Sequence, residues 1–197
     1  LQIEQDGVTR FEGYEALQAT ASVLAIYKAG KPVQELRTGD EGAVLLDATA
    51  FYAESGGQVG DKGQLQGTDF LFEVYDTRKQ GNHFLHFGTL DSGVLRLGDA
   101  VTTLVAPELR QATMLNHSAT HLLHAALRRV LGEHVTQKGS LVNPDHLRFD
   151  FSHNKAVTEL ELEQIEALVN EQVLVNTEVS KQLMSIDAAK EQGAMAL

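Results

Sequence analysis

Cysteine is absent from this sequence. That excludes a disulfide framework and agrees with a reducing, cytoplasmic setting. It also restricts metal chemistry, since a site built from this chain alone has only histidine and carboxylate side chains to use. Proline is scarce, at 3 of 197 residues, and no stretch is low in complexity, which excludes fibrous and disordered classes. Long apolar runs are missing as well: none approaches the ~18–20 residues that span a bilayer. The opening LQIEQDGVTRF has no basic region leading into an apolar stretch, so it does not read as a signal peptide, and it lacks an initiator Met. We expect an internal piece of a longer protein. Basic charge is in deficit, with 16 Lys and Arg against 27 Asp and Glu, for a net charge of −11. A diffuse footprint on nucleic-acid backbone is thereby disfavoured, although a local basic groove is not.

What is present divides in texture near residue 107. Before it, short apolar runs alternate with glycine turns. Strands are expected around 23–27, over 42–49, over 69–77, over 83–90 and over 99–106. In the third of these, Phe70, Phe72 and Val74 fall on one side, and Leu71, Glu73 and Tyr75 on the other. Turns are expected at Gly39-Asp40, Gly60-Asp61-Lys62-Gly63, Gly81-Asn82 and Gly98-Asp99. Short strands at close spacing suggest a small barrel. After it, PELRQATMLNHSATHLLHAALRRVLG reads as one long helix, with Pro107 at its first position, Glu108 at the positive dipole end, Arg128 and Arg129 near the other, and Gly132 as the stop. Leu115, Ala119, Leu122, Ala126 and Val130 follow helical spacing. Strands are expected again at 134–142 and 146–151. A second helix is expected after Thr158, which forms a capping box with Glu161 ahead of Leu162, Ile165, Leu168 and Val169. A strand over 177–185 and a short helix beyond it follow. The chain stops on Met195-Ala196-Leu197, which we read as a truncation.

Three patterns carry chemistry. His117 and His121 are four residues apart, about 40° of helical rotation, so their rings project side by side. Neutral imidazole is a good zinc ligand, and H-x-x-x-H at this spacing suits a metal. The plain alternative is a polar helix face with solvated histidines, His124 included. A metalloprotease is disfavoured, because Ser118 stands where H-E-x-x-H needs Glu. A zinc site takes three or four protein ligands, so the pair is half a site. His83 and His86, in a strand-like run, read as surface or turn histidines. The second pattern is Ser55-Gly56-Gly57-Gln58, where two glycines allow positive φ or a close approach, and an ordinary tight turn is the bland explanation. The third is Gln137-Lys138-Gly139-Ser140, followed by Arg148-Phe149-Asp150-Phe151. Phe149 and Phe151 read as core and Arg148 and Asp150 as solvated, or else Gln137 and its neighbours line a polar pocket.

Taken in order, LLDATAFYAESGGQVGDKG, NHSATHLLHAALRRVLGEHVTQKGSLV and LRFDFSH resemble the interior of bacterial alanyl-tRNA synthetases, and FEGYEALQATASVLAIYKAG resembles the segment before the SGGQ turn. The likeness covers essentially the whole chain. It implies an α+β fold: a small β-barrel domain over 1–106 with the SGGQ turn, then a truncated α+β editing domain over 107–197 with the long H-x-x-x-H helix. It implies Zn2+ held by His117 and His121, with a downstream Cys and His completing the site. Thr120 and Gln137 would act on the substrate, reading a serine side chain. Ser55, Gly56, Gly57, Gln58, Lys138, Gly139, Ser140 and Arg148 would bind it, the last group including contacts to the terminal nucleotide. The partners implied are the rest of the synthetase chain and the 3′ end of tRNA(Ala) carrying a wrong amino acid, with no membrane. ATP and Mg2+ would belong to the aminoacylation domain upstream. The activity implied for the full enzyme is alanine–tRNA ligation with hydrolysis of Ser-tRNA(Ala) and Gly-tRNA(Ala), and the segment alone is expected to be inactive. A free-standing deacylase and a non-catalytic tRNA-positioning module are the competing expectations.

Overall fold

The structure is a computed structural model that describes residues 8–178, 182 and 184–193. The chain forms two compact units, one of residues 1–116 with 141–146, the other of 117–140 with 147–197.

The first unit is built on β1 (Arg10–Phe11), β2 (Gln18–Lys28), β3 (Lys31–Val33), β4 (Glu35–Arg37), β5 (Glu41–Leu46), β6 (Ala48–Thr49), β7 (Gly63–Gln66), β8 (Phe70–Gln80), β9 (His83–Arg96) and β10 (Ala100–Val105). Six of these pair antiparallel in the order β10-β7-β8-β9-β5-β2, and β10 pairs β2 again, which closes a barrel. Closure leaves none of the six as a free edge. β10 sits at the join, with Thr102 opposite both Gln66 and Thr20. β3 extends β2, β4 lies on β9, and β1 runs parallel to β6. The inward faces follow the two-residue period: Phe70, Phe72 and Val74 are buried, while Tyr75 is half exposed. Phe51, Leu65, Leu90 and Leu95 complete a core of fully buried side chains.

His86 corrects the expectation of a surface histidine. It is fully buried, with Nδ1 at 3.0 Å from the Val44 carbonyl, Nε2 at 2.8 Å from Thr49 Oγ1, and its ring edge-on to Phe51. A carbonyl only accepts, so Nδ1 carries the proton and the Thr49 hydroxyl donates to Nε2. Burial pushes the imidazole down to about 4, so it is neutral at pH 7.

A second buried polar group was read only as part of a turn. Asp61 receives two hydrogen bonds from Arg110 Nε at 3.0 Å and a further one from the guanidinium. The same guanidinium donates to the Gly13 and Ala50 carbonyls at 2.8 Å each. Asp61 also accepts the Tyr52 amide at 2.6 Å. Four of the five N–H donors of the fork are thus aimed at acceptors, and all three of its nitrogens are engaged, the condition under which a buried charge is tolerated.

Helix α1 (Pro107–Leu131) contributes residues to both units. It ends as expected, with Gly132 at φ 121° and Arg128 donating to the Glu133 and Val135 carbonyls at 2.7 and 2.9 Å. Leu115 departs from the expected apolar face and is 61% exposed, whereas Thr113, Thr120 and His124 are buried. The second unit adds the paired strands β11 (Gln137–Val142) and β12 (Leu147–Phe151), then α2 (Glu159–Val175) and α3 (Ile186–Glu191). Its core gathers Ala126, Leu127, Val135 and Ile165, with Phe149 and Phe151 packed on it as the sequence suggested. α2 starts at the capping box: Glu161 N–H donates to Thr158 Oγ1 at 3.3 Å, and Thr158 N–H to the Glu161 carboxylate at 2.8 Å. The Thr158 amide, and then the Thr158 hydroxyl, donating to the Glu161 carboxylate hold its carboxyl down at about 2. Of the intended apolar face, Ile165 is buried but Leu162 is 54% exposed. Of the nine residues of the strand expected over 177–185, four lie outside the described residues, and the five described ones show no strand. No described helix is long and apolar enough to cross a membrane.

Candidate functional site

The residues singled out from sequence fall in both units, and each unit shapes its own set. In the second, the helical spacing does what it promised: the His117 and His121 rings lie 5.0 Å apart, centre to centre, at 45°. His117 is half-buried and His121 exposed. Thr120, on the same turn, is buried. One turn on, His124 is buried against Phe149 at 5.0 Å, and its Nε2 has no hydrogen-bond partner among the described residues. His124 was noted from spacing alone; burial of the polar atom could not be seen there.

On β11, Gln137 Nε2 donates to Ser140 Oγ at 3.1 Å, so these two are brought together. Lys138 points to solvent and enters none of the described ion pairs. Arg148 does not reach outward as a free cation: its fork makes three bonds of 3.0–3.1 Å to the Asp150 carboxylate. Asp150 in turn lies over Gly139, where an added Cβ would sit 2.8 Å from Oδ2. A side chain at position 139 would displace the acceptor that orients Arg148.

In the first unit, Ser55 and Gln58 exchange backbone hydrogen bonds at 3.0 and 3.1 Å around Gly56 and Gly57, at φ 59° and 84°. Two central residues at positive φ are what a type I′ turn demands, and glycine meets it without strain. The turn grips the end of β11: the Gly57 carbonyl accepts Val142 N–H at 2.8 Å and Val59 N–H donates to the Val142 carbonyl at 3.0 Å. Gln58 is buried and Ser55 and Gly56 are exposed. Asn116, immediately before His117, donates to the Asn143 and Pro144 carbonyls at 2.8 and 3.3 Å.

Chemically, two neighbouring imidazoles form a borderline-soft nitrogen pair that fits zinc as two of its usual four ligands. No group of three His, Cys, Asp or Glu side chains able to hold a metal occurs among the described residues.

Residues 1–108 match the sequence profile of the tRNA synthetases class II (A). Over 195 residues, 99% of this chain, the sequence is 56% identical to an alanine–tRNA ligase of Pseudomonas syringae pv. syringae. It is 54% identical over 191 residues, 97% of the chain, to one of Halorhodospira halophila, and 53% identical over 195 residues to one of Pseudomonas fluorescens. The chain spans 22% of the length of each of these relatives. With more than half of its residues matched by the profile, the chain belongs to the class II (A) tRNA synthetases, and its homologues along nearly all of its length are alanine–tRNA ligases.

Proposed function

We propose that this chain is the barrel domain (1–106) and the opening part of the editing domain (107–197) of an alanine–tRNA ligase. The whole enzyme joins alanine to tRNA(Ala) with ATP and Mg2+ in a separate domain. The editing region hydrolyses the ester of Ser-tRNA(Ala) and Gly-tRNA(Ala). The observation that carries this reading is the His117–His121 pair, two rings 5.0 Å apart on one helix, in the sequence setting of the SGGQ turn and the QKGS strand.

The need for such a region follows from energetics. A pocket for alanine rejects an added hydroxyl or a missing methyl by only ~1–3 kcal/mol. A site that hydrogen-bonds a hydroxyl can discriminate by ~10⁴ or more. The Thr120 hydroxyl and the Gln137 amide are the groups suited to read serine, since both can donate and accept. Burial of Thr120 supports that role, because a buried hydroxyl is held in a defined direction. His117 and His121 would supply two zinc ligands, with the rest of the set from elsewhere in the full enzyme. Zinc bound there would anchor the substrate and make its attacking water more acidic. The Ser55–Gln58 turn would wall the substrate pocket, and its backbone bonds to Val142 hold it in a defined shape. Lys138 is the exposed cation for a terminal phosphate, and Arg148, committed to Asp150, has the weaker claim.

The test is single-turnover deacylation of Ser-tRNA(Ala) by the full-length ligase. His117→Ala is expected to lose the activity by a factor of about 100 or more while alanylation is retained. Equal deacylation in the two proteins contradicts the proposal.

A further inference from the structure

We propose that the barrel unit carries a stacking platform for unpaired RNA nucleotides, formed by Tyr14 on the Phe11–Phe84 ring pair and flanked by the Lys79 ammonium. The inference rests on the reading above for tRNA as the partner, and adds a binding surface outside the residues assigned to editing.

Four rings meet on this surface. Phe11 stacks on Phe84 at 5.7 Å and 11°, and takes Tyr14 at 4.9 Å and Tyr52 at 6.3 Å edge-on. Lys79 holds its ammonium 5.7 Å from the centre of the Phe84 ring. Tyr14 is 74% exposed, so one face of its ring is open to solvent. Its mount is rigid. The Gly13 carbonyl beside it accepts the buried Arg110 guanidinium at 2.8 Å. A Cβ on Gly13 would lie 2.2 Å from the Ala50 carbonyl, so the loop sits directly on the barrel wall. Glu12 N–H donates to the Thr49 carbonyl at 2.8 Å, and Phe84 N–H to the Thr9 hydroxyl at 3.1 Å.

An exposed aromatic ring in a ring cluster that also carries a cation, here Lys79 over Phe84, is the pattern that stacks bases and meets a phosphate nearby. The charge balance favours this over a backbone-tracking groove. A net charge of −11 disfavours a diffuse phosphate footprint, so stacking is the larger source of affinity, with Lys79 as a local contact. Arg10 is taken by Glu12 at 2.7 Å, whereas Lys79 enters none of the described ion pairs. Stacking reads any base and needs an unpaired one, which is the state of a tRNA 3′ end.

The experiment is fluorescence anisotropy of this chain with a labelled single-stranded RNA of about 12 nucleotides ending in CCA, and with the same sequence paired in a duplex. The single strand is expected to bind more tightly than the duplex. Tyr14→Ala should weaken it at least about fivefold, and Tyr14→Phe, which keeps the π-face, should retain it. Lys79→Ala should flatten the dependence of log K on log salt by about 0.7. The exposed position of Tyr14 makes unchanged thermal midpoints the folding control. His117→Ala lies outside the platform and should keep full affinity, so failure of the editing reading and failure of the platform are distinguishable. Wild-type binding that is unaffected by Tyr14→Ala overturns the proposal. So does absence of single-strand binding, or a Tyr14→Ala effect confined to self-association of the chain.

Discussion

Replacing Arg110 by Met should destabilise the barrel unit by about 4 kcal/mol, within the ~3–5 kcal/mol expected when one partner of a buried ion pair is removed. The magnitude comes from what is left behind. The Asp61 side chain is only 5% exposed, and without Arg110 it keeps the Tyr52 amide as its recorded partner. The Gly13 and Ala50 carbonyls lose their guanidinium donors at the same time. Each orphaned carbonyl costs about 1–3 kcal/mol, but the losses share one site and do not add. Asp61→Leu alone should cost a similar amount, since it strands the guanidinium. The double variant Asp61→Leu with Arg110→Met should recover only part of the loss, because it removes the stranded charge but leaves the Gly13 and Ala50 carbonyls and the Tyr52 amide without these partners. The assay is urea unfolding followed by the tyrosine near-ultraviolet signal, backed by amide exchange along β8 and β10. A loss below about 1 kcal/mol in both single variants, with exchange unchanged, would refute the claim that this pair locks the start of α1 and the Tyr14 loop to the barrel.

Three further outcomes are expected. His86 is neutral in the fold at about 4 and ordinary at 6.5 when unfolded, so its contribution is fully present above pH 6.5 and is lost as pH falls toward 4. The loss amounts to about 3 kcal/mol, and His86→Gln should flatten the pH dependence of urea stability by about one proton over that window. Thr158→Ala removes the cap of α2 and should cost about 1 kcal/mol, read as fraying of residues 159–163 in amide exchange. Gly57→Ala places a Cβ at φ 84° and should cost about 1–2 kcal/mol, with loosened exchange at the Val142 amide that the turn holds.

Local period made much of the fold legible. The alternation in 69–77 and the cap-to-glycine span of the long helix each depend on neighbours in the chain, and both elements formed as expected. β7 was not legible, because four residues beginning at Gly63 leave no pattern, yet it closes the barrel between β10 and β8. His86 and Arg110 were misjudged or overlooked for one reason: their partners lie 37 to 97 residues away. Leu115 shows the same limit in a helix, since spacing gives a face but not which side other elements cover. Of the candidate site, the His117–His121 geometry followed from helical rotation alone. Arg148 bonding its own strand neighbour Asp150 did not, because the sequence offers both a solvated and a pocket-lining orientation.

The central claim is that His117 and His121 are half of a zinc site completed elsewhere in a longer ligase. Zinc content, measured by mass spectrometry on dialysed protein, tests it most directly. Full-length ligase should hold one zinc per chain, the double variant His117→Ala with His121→Ala should hold almost none, and the present 197-residue chain should bind it weakly and below one equivalent. Tight one-to-one zinc in the double variant, or in the 197-residue chain, would contradict it.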